Sequence, residues 1–294
     1  MELSFSEEFM LDANERLKRL LARMTVKPGR TFTPVEGLSL TLWNDLNQTD
    51  TCFYAPAIGL IAQGRKESLV GSEAFRYGEL DCLVNGVDMP SVSRMLEASP
   101  EKPLLAVSLT IDRALATELA AEVTPQAGFA EPYYPAVSVA RVRPDVLEAF
   151  ARLVELLEKP GQLALRAPLL VREIVTRVLL GPQGAALRAI YTLGSHGSQV
   201  AEAVTWLRGN FAEPLQVEKL AALVGMATST FHRQFKRVTS ISPLQYQKCL
   251  RLYEAQRLML SGDLDAGSAG RAVGYENTQQ FNREYKRMFG EPPH

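Results

Sequence analysis

The stretch FHRQFKR at residues 231–237 occurs again in altered form as FNREYKR at residues 281–287. Each copy follows a short apolar segment that ends in glycine, which is LAALVG at 220–225 and AGRAVG at 269–274. An internal repeat is informative because each copy is expected to form the same structural unit. The unit predicted here is a helix, a turn that contains glycine, and a second helix rich in basic residues. Two such units in tandem indicate a double helix-turn-helix, an arrangement that places helices in DNA.

The whole C-terminal third of the chain is helical in pattern. Its middle part, SPLQYQKCLRLYEAQRLML at 242–260, has no internal glycine or proline after its second residue, so we expect one continuous helix. Eighteen residues at about 1.5 Å each make a helix of about 27 Å. A rigid connecting helix of about this length could place two recognition helices in successive major grooves, which lie roughly 34 Å apart on one face of DNA. The predicted helices span 198–211, 216–224, 228–238, 243–260, 265–273 and 277–289.

The aromatic residues of the repeat orient both basic helices. Phe231 and Phe235 are four residues apart, as are Phe281 and Tyr285, so each pair is expected on a buried face. The polar residues then point outward, and the first turn of a recognition helix comes closest to the bases. Arg pairs bidentately with guanine, and Gln or Asn with adenine, whereas contacts to phosphate fix position. We predict base contacts foremost from Arg233, Gln279 and Arg283, further base contacts from Ser229, His232, Gln280 and Asn282, and phosphate contacts from Thr230, Lys236, Arg237, Thr278, Lys286 and Arg287.

Charge is distributed unevenly along the 294 residues, although the net charge is only −1. Residues 196–294 hold 12 Lys and Arg against 9 Asp and Glu, whereas residues 1–195 hold 20 against 24. The positive excess therefore lies where the repeat lies, as DNA binding requires. Because that excess is small, the local pattern carries more weight than the total.

The N-terminal half has a different pattern. Short apolar runs alternate with Gly, Pro and Asn, which predicts the strands of a small β-barrel or sandwich. The expected strands are 38–43, 57–64, 67–71, 80–86 and 104–111, and amphipathic spacing predicts helices at 5–24, 112–122, 144–159 and 169–181. The small polar segment GSHGS at 194–198 is the predicted linker between a domain of residues 1–193 and a domain of residues 199–294.

At these motifs the chain resembles a known family. The segments LAALVGMATSTFHRQFKR, SPLQYQ and VGYENTQQFNREYKRMFGEPP are together similar to the DNA-binding domain of AraC/XylS-family transcriptional regulators. Residues 57–112 and GPQGAALRAI at 181–190 resemble the N-terminal cupin-like domain of one branch of that family. The resemblance implies an α+β two-domain fold, in which a cupin-like β-barrel with flanking helices precedes an all-α tandem helix-turn-helix. It also implies double-stranded promoter DNA and RNA polymerase as partners, with control by an effector or partner at the barrel.

The second unit departs from the family pattern. Ala269 and Gly270 stand where the family usually has a larger aliphatic residue and alanine, and Gly267 adds another glycine. Glycine costs about 1 kcal/mol relative to alanine inside a helix. We therefore expect the second unit to be less well ordered than the first, with base contacts that matter less.

The composition of the N-terminal half argues against an enzyme. The chain has three histidines, His196, His232 and His294, so residues 1–195 have none. A cupin metal site, which needs clustered histidines, and a histidine-dependent catalytic triad are both excluded there. Phosphate-binding glycine motifs are also missing. We expect no metal, no cofactor and no enzymatic activity, and a closed β-domain without a metal is suited to an unidentified small-molecule effector.

Several residues of this half allow two explanations. The aromatic residues Trp43, Phe53, Tyr54 and Tyr77 fit either a pocket lining or the core. The stripe Leu147, Phe150, Val154 and Leu157 fits either a homodimer contact or packing onto its own barrel. The three widely spaced cysteines, Cys52, Cys82 and Cys249, indicate reduced thiols rather than a disulfide framework, and buried or incidental cysteines are favoured over redox sensors.

The start of the chain is acidic and amphipathic, without the features of a signal peptide, and no apolar run approaches the ~18 residues of a membrane span. We therefore expect a cytoplasmic, bacterial transcription regulator that binds promoter DNA through recognition helices at about 228–238 and 277–289. The alternative is a degenerate regulator or protein-interaction module that no longer binds DNA specifically, and the glycines at 265–270 motivate it.

Overall fold

The computed structural model describes residues 5–47, 49–123 and 135–293. Within these ranges the N-terminal half forms ten strands, all paired antiparallel, in two sheets. The six-stranded sheet has the order β1-β2-β9-β4-β7-β10 and the four-stranded sheet β3-β8-β5-β6. The strands are β1 (Gly29–Phe32), β2 (Leu38–Trp43), β3 (Thr49–Tyr54), β4 (Ala57–Gln63), β5 (Arg65–Val70), β6 (Glu73–Gly78), β7 (Asp81–Asn85), β8 (Met89–Glu97), β9 (Leu104–Thr110) and β10 (Val137–Arg141).

The five predicted strands are confirmed as β2, β4, β5, β7 and β9, and the other five lack an apolar pattern strong enough to predict. In β8, for example, Ser91 and Ser93 occupy buried positions that an apolar period would give to Val or Ile. β3 and β6 lie at the two edges of the smaller sheet. Edge strands have one unpaired side, and their sequences are less constrained by burial.

Eleven helices form in the described ranges. They are α1 (Phe5–Met24), α2 (Arg113–Glu122), α3 (Pro144–Glu155), α4 (Leu163–Leu179), α5 (Gly184–Tyr191), α6 (His196–Gly209), α7 (Val217–Leu223), α8 (Thr228–Thr239), α9 (Pro243–Leu260), α10 (Ala266–Ala272) and α11 (Thr278–Phe289). All predicted helices are present, α4 begins six residues earlier than expected, and α5 is an additional helix. None of the described helices is both long and apolar enough to serve as a bilayer span.

The six-stranded sheet separates a helical layer from the interior of the barrel. Leu40, Ile58 and Leu109 are fully or almost fully buried, and α1 packs on β2, β4 and β9. Their neighbours in sequence face the other way, because side chains alternate along a strand. Several of those neighbours are small or polar, including Gly59 and Ser108, and they leave space between the two sheets.

The stripe on α3 packs within its own domain. Leu147, Phe150 and Val154 are all 0% exposed, and Leu157 is partly buried against the same core. α3 packs between α1 and α4. Of the two explanations for this stripe, internal packing is therefore the one observed.

The segment GSHGS is more ordered than a flexible linker would be. α6 begins at His196, and the Ser195 hydroxyl accepts a hydrogen bond from the Ser198 backbone N–H (3.0 Å). A Cβ atom at Gly197 would lie 2.1 Å from the Ala189 carbonyl oxygen, so α5 and α6 pack closely at this glycine. Only Gly194 and Ser195 of the segment lie outside a helix.

The two halves of the chain are in direct contact through α9. The Tyr246 hydroxyl donates to the Asp88 carbonyl oxygen (2.6 Å), and the Tyr253 hydroxyl donates to the Ser91 carbonyl oxygen (2.9 Å). The ring of Phe53 meets both tyrosines edge to face, at centroid distances of 5.9 and 5.0 Å. α9 is therefore held against β3 and β8 of the smaller sheet.

Candidate DNA-binding surface

The two helix-turn-helix units have the same turn. Gly225 and Gly274 follow the first helix of each unit with φ of +71° and +88°, a conformation that favours glycine. The next residue in each case, Met226 or Tyr275, donates its backbone N–H back to the first helix at 2.9 Å. The repeat predicted from the sequence is therefore a repeat of backbone geometry.

The aromatic pairs lie where their spacing predicts. Phe231, Phe235 and Phe281 are 0% exposed and Tyr285 is 6% exposed. With these faces buried, the opposite faces of α8 and α11 are turned to solvent. Eleven of the predicted contact residues are exposed, namely Ser229, His232, Arg233, Lys236, Thr278, Gln279, Gln280, Asn282, Arg283, Lys286 and Arg287.

Two predicted phosphate contacts are less accessible. Thr230 and Arg237 are half-buried, and the Arg237 guanidinium lies 3.5 Å from the side-chain oxygen of Gln234. Gln234 is itself buried beside His196 of α6. The last turn of α8 therefore makes more contacts within the protein than the sequence pattern predicts.

The starts of the two recognition helices differ. The Asn277 side-chain oxygen caps α11 by accepting from the backbone N–H groups of Gln279 and Gln280 (2.8 and 3.1 Å). Ala227 takes the equivalent position before α8 and provides no side-chain cap. The amide of Gln280 also donates to Glu284 (3.2 Å), which leaves Gln279 as the glutamine with fewer described contacts.

The acidic residue inside the second copy, Glu284, is turned away from the exposed face. Its carboxylate accepts from Lys248 (2.8 Å) and from the Tyr275 hydroxyl (2.7 Å). Burial opposes ionisation of Glu284, but these hydrogen bonds outweigh it and hold the pKa below its usual value. The carboxylate thus joins α9, the turn of the second unit and α11, and its charge is paired with that of Lys248.

Two polar residues of α9, which sequence reasoning missed, hold the connecting helix to other parts of the chain. The Arg251 guanidinium donates to four backbone carbonyl groups, those of Phe211, Ala212, Glu213 and Gly274, at 2.7 to 3.0 Å. Gln247 donates to the carbonyl groups of Phe211 and Glu213. The loop after α6 and the turn of the second unit are therefore fixed to the connecting helix. No local pattern predicts this role, because the acceptors are backbone atoms distant in sequence.

The glycines of α10 differ in their surroundings. A Cβ at Gly270 would lie 3.1 Å from two ring carbons of Phe281, whereas a Cβ at Gly267 would meet nothing closer than 3.6 Å. Gly270 therefore permits close approach of α10 and α11. The expectation that both glycines only weaken the second unit overlooks this packing contact.

A cavity of about 240 Å³ lies between the two sheets. Tyr54 and Tyr77 line it, whereas Phe53 faces α9 and Trp43 is not part of the lining. The lining also includes Arg30, Lys66 and Asn85, and no Asp or Glu among the described residues. Within the described ranges no three His, Cys, Asp or Glu side chains form a cluster that could hold a metal ion.

The described cysteines are poor candidates for redox sensing. Burial raises the pKa of the Cys82 thiol to about 12 and that of Cys249 to about 11. A thiol that resists ionisation reacts slowly, because the thiolate is the nucleophile. The side chain of Cys52 lies outside the described residues.

The sequence matches two known families. Residues 34–186, just over half of the chain, match the family described as AraC-type transcriptional regulator N-terminus. Residues 220–294 match the helix-turn-helix domain family, which covers both units.

Individual relatives agree with these matches. The transcriptional activator RhaS of Salmonella paratyphi B is 29% identical over 163 residues, which are 55% of this chain and 57% of that protein. RhaS of Pectobacterium carotovorum is 29% identical over 100 residues, or 34% of this chain and 36% of the relative. The matched segments therefore span between about a third and three fifths of these relatives.

Solved structures show the same fold over most of the chain. The apo form of a ToxT variant from Vibrio cholerae superposes with a TM-score of 0.58 at 10% identity, and the match covers 89% of this chain and 97% of ToxT. Wild-type ToxT bound to an unsaturated fatty acid gives a TM-score of 0.55 at 8% identity, covering 91% and 95%. At such identities the likeness concerns fold alone, and it agrees with a cupin-like β-domain followed by a helical domain. By its family matches, its fold and its two helix-turn-helix units, the chain belongs to the AraC-type transcriptional regulators, a family of transcription factors and not of enzymes.

Proposed function

We propose that this chain binds promoter DNA specifically through α8 and α11 and is controlled by a small molecule in the barrel. The observation that carries the proposal is the pair of matching helix-turn-helix units joined by α9. At about 1.5 Å for each of its 18 residues, α9 is about 27 Å long. Arg251 fixes α9 to the turn of the second unit and to the loop before α7, and Tyr246 of α9 meets Phe235 of α8 edge to face, so the spacing of the recognition helices depends on these contacts of α9.

The two helices contribute differently to DNA binding. α8 presents Arg233 and His232 for bases and Lys236 for phosphate, while α11 presents a larger set that includes Gln279, Asn282 and Arg283. Arg233 and Arg283 suit guanine, and Gln279 suits adenine. Lys286 and Arg287 follow one turn later, where phosphate contacts set the register of the protein on the duplex.

Strand β3 supports control from the barrel. Tyr54 lies in the cavity, and its neighbour Phe53 points to the other side of the strand and contacts Tyr246 and Tyr253 of α9. A ligand that repositions Tyr54 would therefore alter the surface on which α9 rests. The fatty acid bound to ToxT is a precedent, in a protein of the same fold, for a regulator with a small-molecule ligand.

The location, partners and domain roles of the chain are those of a regulator that acts at a promoter. The chain acts in the bacterial cytoplasm and influences RNA polymerase at the promoter, and we assign residues 1–193 to the effector domain and 199–294 to the DNA-binding domain. A homodimer would place two such DNA-binding domains on one promoter. The RhaS relatives are named as activators, which supports activation as the mode of regulation.

Fluorescence anisotropy with the promoter region upstream of the chain's own gene tests the proposal. Arg233→Ala should weaken binding by about 1–3 kcal/mol and relax selectivity at one base pair. Arg166→Ala serves as the control, because Arg166 is an exposed arginine of α4 bonded to Gln162 and far from the repeat in sequence. Equal affinity for promoter and scrambled DNA would contradict the proposal and favour the degenerate regulator. Identical profiles for Arg233→Ala and wild type would exclude base reading by Arg233.

A further inference from the structure

We propose that Ser72, in the turn between β5 and β6, is a positioning residue for DNA recognition, because it holds the last turn of α8 against the barrel. The barrel then sets the orientation of the first recognition helix directly and that of the second only through α9. This inference rests on the proposed DNA-binding function and adds a residue of the N-terminal half to it. It draws on the hydrogen bonds at the end of α8, the conformation of Ser240, and a comparison with α11.

Three hydrogen bonds connect the barrel to the end of α8. The Ser72 backbone N–H donates to the Ser240 hydroxyl oxygen (3.2 Å), and the Ser72 hydroxyl donates to the Ser240 carbonyl oxygen (3.1 Å). The Ala136 backbone N–H donates to the Val238 carbonyl oxygen (2.9 Å). The last carbonyl groups of a helix have no partner within the helix, so the barrel supplies partners at this end of α8.

Ser240 has a backbone conformation that is unusual for serine. Its φ is +61°, and Leu80 is the other non-glycine residue of the described ranges with a positive φ. Residues with a Cβ atom adopt this conformation rarely, because Cβ then crowds the following carbonyl oxygen. Strain of this kind persists where surrounding contacts require it. The bonds between Ser240 and Ser72 are such contacts, and the Ser240 hydroxyl gives a reason for serine at a position that favours glycine.

The second copy of the repeat provides an internal comparison. The residue fifty positions after Ser240 is Gly290, which has φ of +86° and open space around its missing Cβ. Glycine is the usual residue at this end of a helix. In the described part of the chain α11 has no hydrogen bond or ion pair to the barrel, and its acidic residue Glu284 bonds to Lys248 and Tyr275 of its own half. The bonds at the helix end are therefore a property of the first copy.

The turn that carries Ser72 fits closely against α8. Gly71 and Ser72 join β5 to β6, and Gly71 has φ of +61°, as the first residue of such a two-residue turn requires. A Cβ atom at Gly71 would lie 2.7 Å from the Thr239 carbonyl oxygen and still closer to the Ser240 hydroxyl oxygen. Glycine therefore permits the approach that brings Ser72 within hydrogen-bond distance of α8.

The contact suits a reversible link between the barrel and α8. Arg233 precedes Ser240 by seven residues, or about 10 Å of helix, so a contact at the end of α8 sets the direction of the base-reading turn. Ser68 of β5 and Tyr77 of β6 bond to each other inside the barrel (2.9 Å), so the same hairpin extends from the barrel interior to α8. Ser72 is exposed, and water can replace its hydrogen bonds when the contact opens.

Base-by-base affinity profiles of the bound promoter site, measured on the full chain by competition fluorescence anisotropy, test this inference. Arg233→Ala and Arg283→Ala first mark the base pairs that α8 and α11 read. Ser72→Ala should then reduce the affinity ratio between native and substituted base pairs about two- to fivefold at the α8 positions, because one hydrogen bond of the contact is lost. The ratios at the α11 positions should stay unchanged.

Further variants separate positioning from the stability of α8. Ser240→Gly removes the hydroxyl acceptor but relieves the strained φ, so a purely structural role predicts no loss, whereas positioning predicts the same two- to fivefold relaxation. Ser72→Thr keeps the hydroxyl and should retain the wild-type profile. Ser99→Ala is the matched control, because Ser99 is a turn serine of the barrel whose hydroxyl accepts from the Lys102 backbone N–H (3.1 Å).

Three results would overturn the inference, namely a wild-type profile in Ser72→Ala, equal relaxation at the α8 and α11 positions, or as much relaxation in Ser72→Thr as in Ser72→Ala. The wild-type profile separates this inference from the proposed function. If the wild-type chain prefers its promoter and Ser72→Ala does so equally, the positioning role is wrong and the DNA-binding proposal stands. If the wild-type chain has no preference for its promoter, the proposed function itself fails.

Discussion

Gly270 and Gly267 lie three residues apart in α10, and the same substitution should have opposite effects at the two positions. Alanine at Gly267 would meet only flexible side-chain ends, Arg271 Nη1 and Asp265 Oδ1, both at 3.6 Å. Replacing glycine with alanine in a helix then adds about 0.5–1 kcal/mol of stability. A value near about 0.5 kcal/mol is expected here, because Gly267 lies in the first helical turn. Gly267→Ala should therefore stabilise the second unit.

Alanine at Gly270 would place Cβ 3.1 Å from Cγ and Cδ1 of the Phe281 ring. Optimal carbon–carbon contacts are ~3.5–4.0 Å, so the ring would have to move. Phe281 is 0% exposed, and its centroid lies 5.3 Å from that of Tyr275 and 5.6 Å from that of Tyr285. Overpacking of such a site costs about 1–3 kcal/mol, which exceeds the propensity gain of about 1 kcal/mol. Gly270→Ala should destabilise the α10–α11 unit by about 1 kcal/mol.

Hydrogen–deuterium exchange of peptides from 264–290 measures this local stability directly. About 1 kcal/mol corresponds to roughly a fivefold change in the population of the open state, so exchange should become about fivefold faster in Gly270→Ala. In Gly267→Ala it should become about two- to fivefold slower, while peptides of α7 and α8 stay unchanged in both variants. Slower exchange in Gly270→Ala would refute the packing argument and show that the Phe281 ring can adjust.

Three further predictions concern contacts of α9 and α11. Arg251→Met should lower the free energy of unfolding, measured by urea denaturation, by about 2–4 kcal/mol, because four backbone carbonyl groups lose a charged donor. A decrease below about 0.5 kcal/mol would contradict this role of Arg251. The folded-state pKa of Glu284 is lowered from 4.5, so its stabilisation is present above that value and is lost as the pH falls through the folded pKa. Glu284→Gln should thus lower Tm near neutral pH, by an amount that shrinks as the pH falls below 4.5, and a difference that stays constant with pH would be inconsistent with this linkage. Phe53→Ala removes two edge-to-face contacts worth about 0.5–1.5 kcal/mol each and should speed amide exchange in α9 by about fivefold to a hundredfold, without change in β4 or β9; unchanged exchange in α9 would contradict the role of Phe53.

The helices of the DNA-binding half could be predicted closely because their signals are local. α9 begins and ends at the predicted residues, and α8 and α11 differ from prediction by one residue at one end. Proline, glycine and the aromatic pairs at four-residue spacing each act within one turn of the chain. The exposure of Arg233, Gln279 and Arg283 follows from the same periodicity.

The sequence by itself therefore determined the tandem recognition units and the side chains on their outer faces, because helical periodicity depends only on near neighbours. It did not reveal the four carbonyl acceptors of Arg251, the contact of Gly270 with Phe281, or the meeting of Lys66, Tyr54 and Asn85 in one cavity. Those relations join residues that lie far apart in the chain or on different elements, and they depend on strand register and helix packing. Only the tertiary structure decides them, since register sets which alternate residues face inward and packing sets which backbone groups come within hydrogen-bond reach.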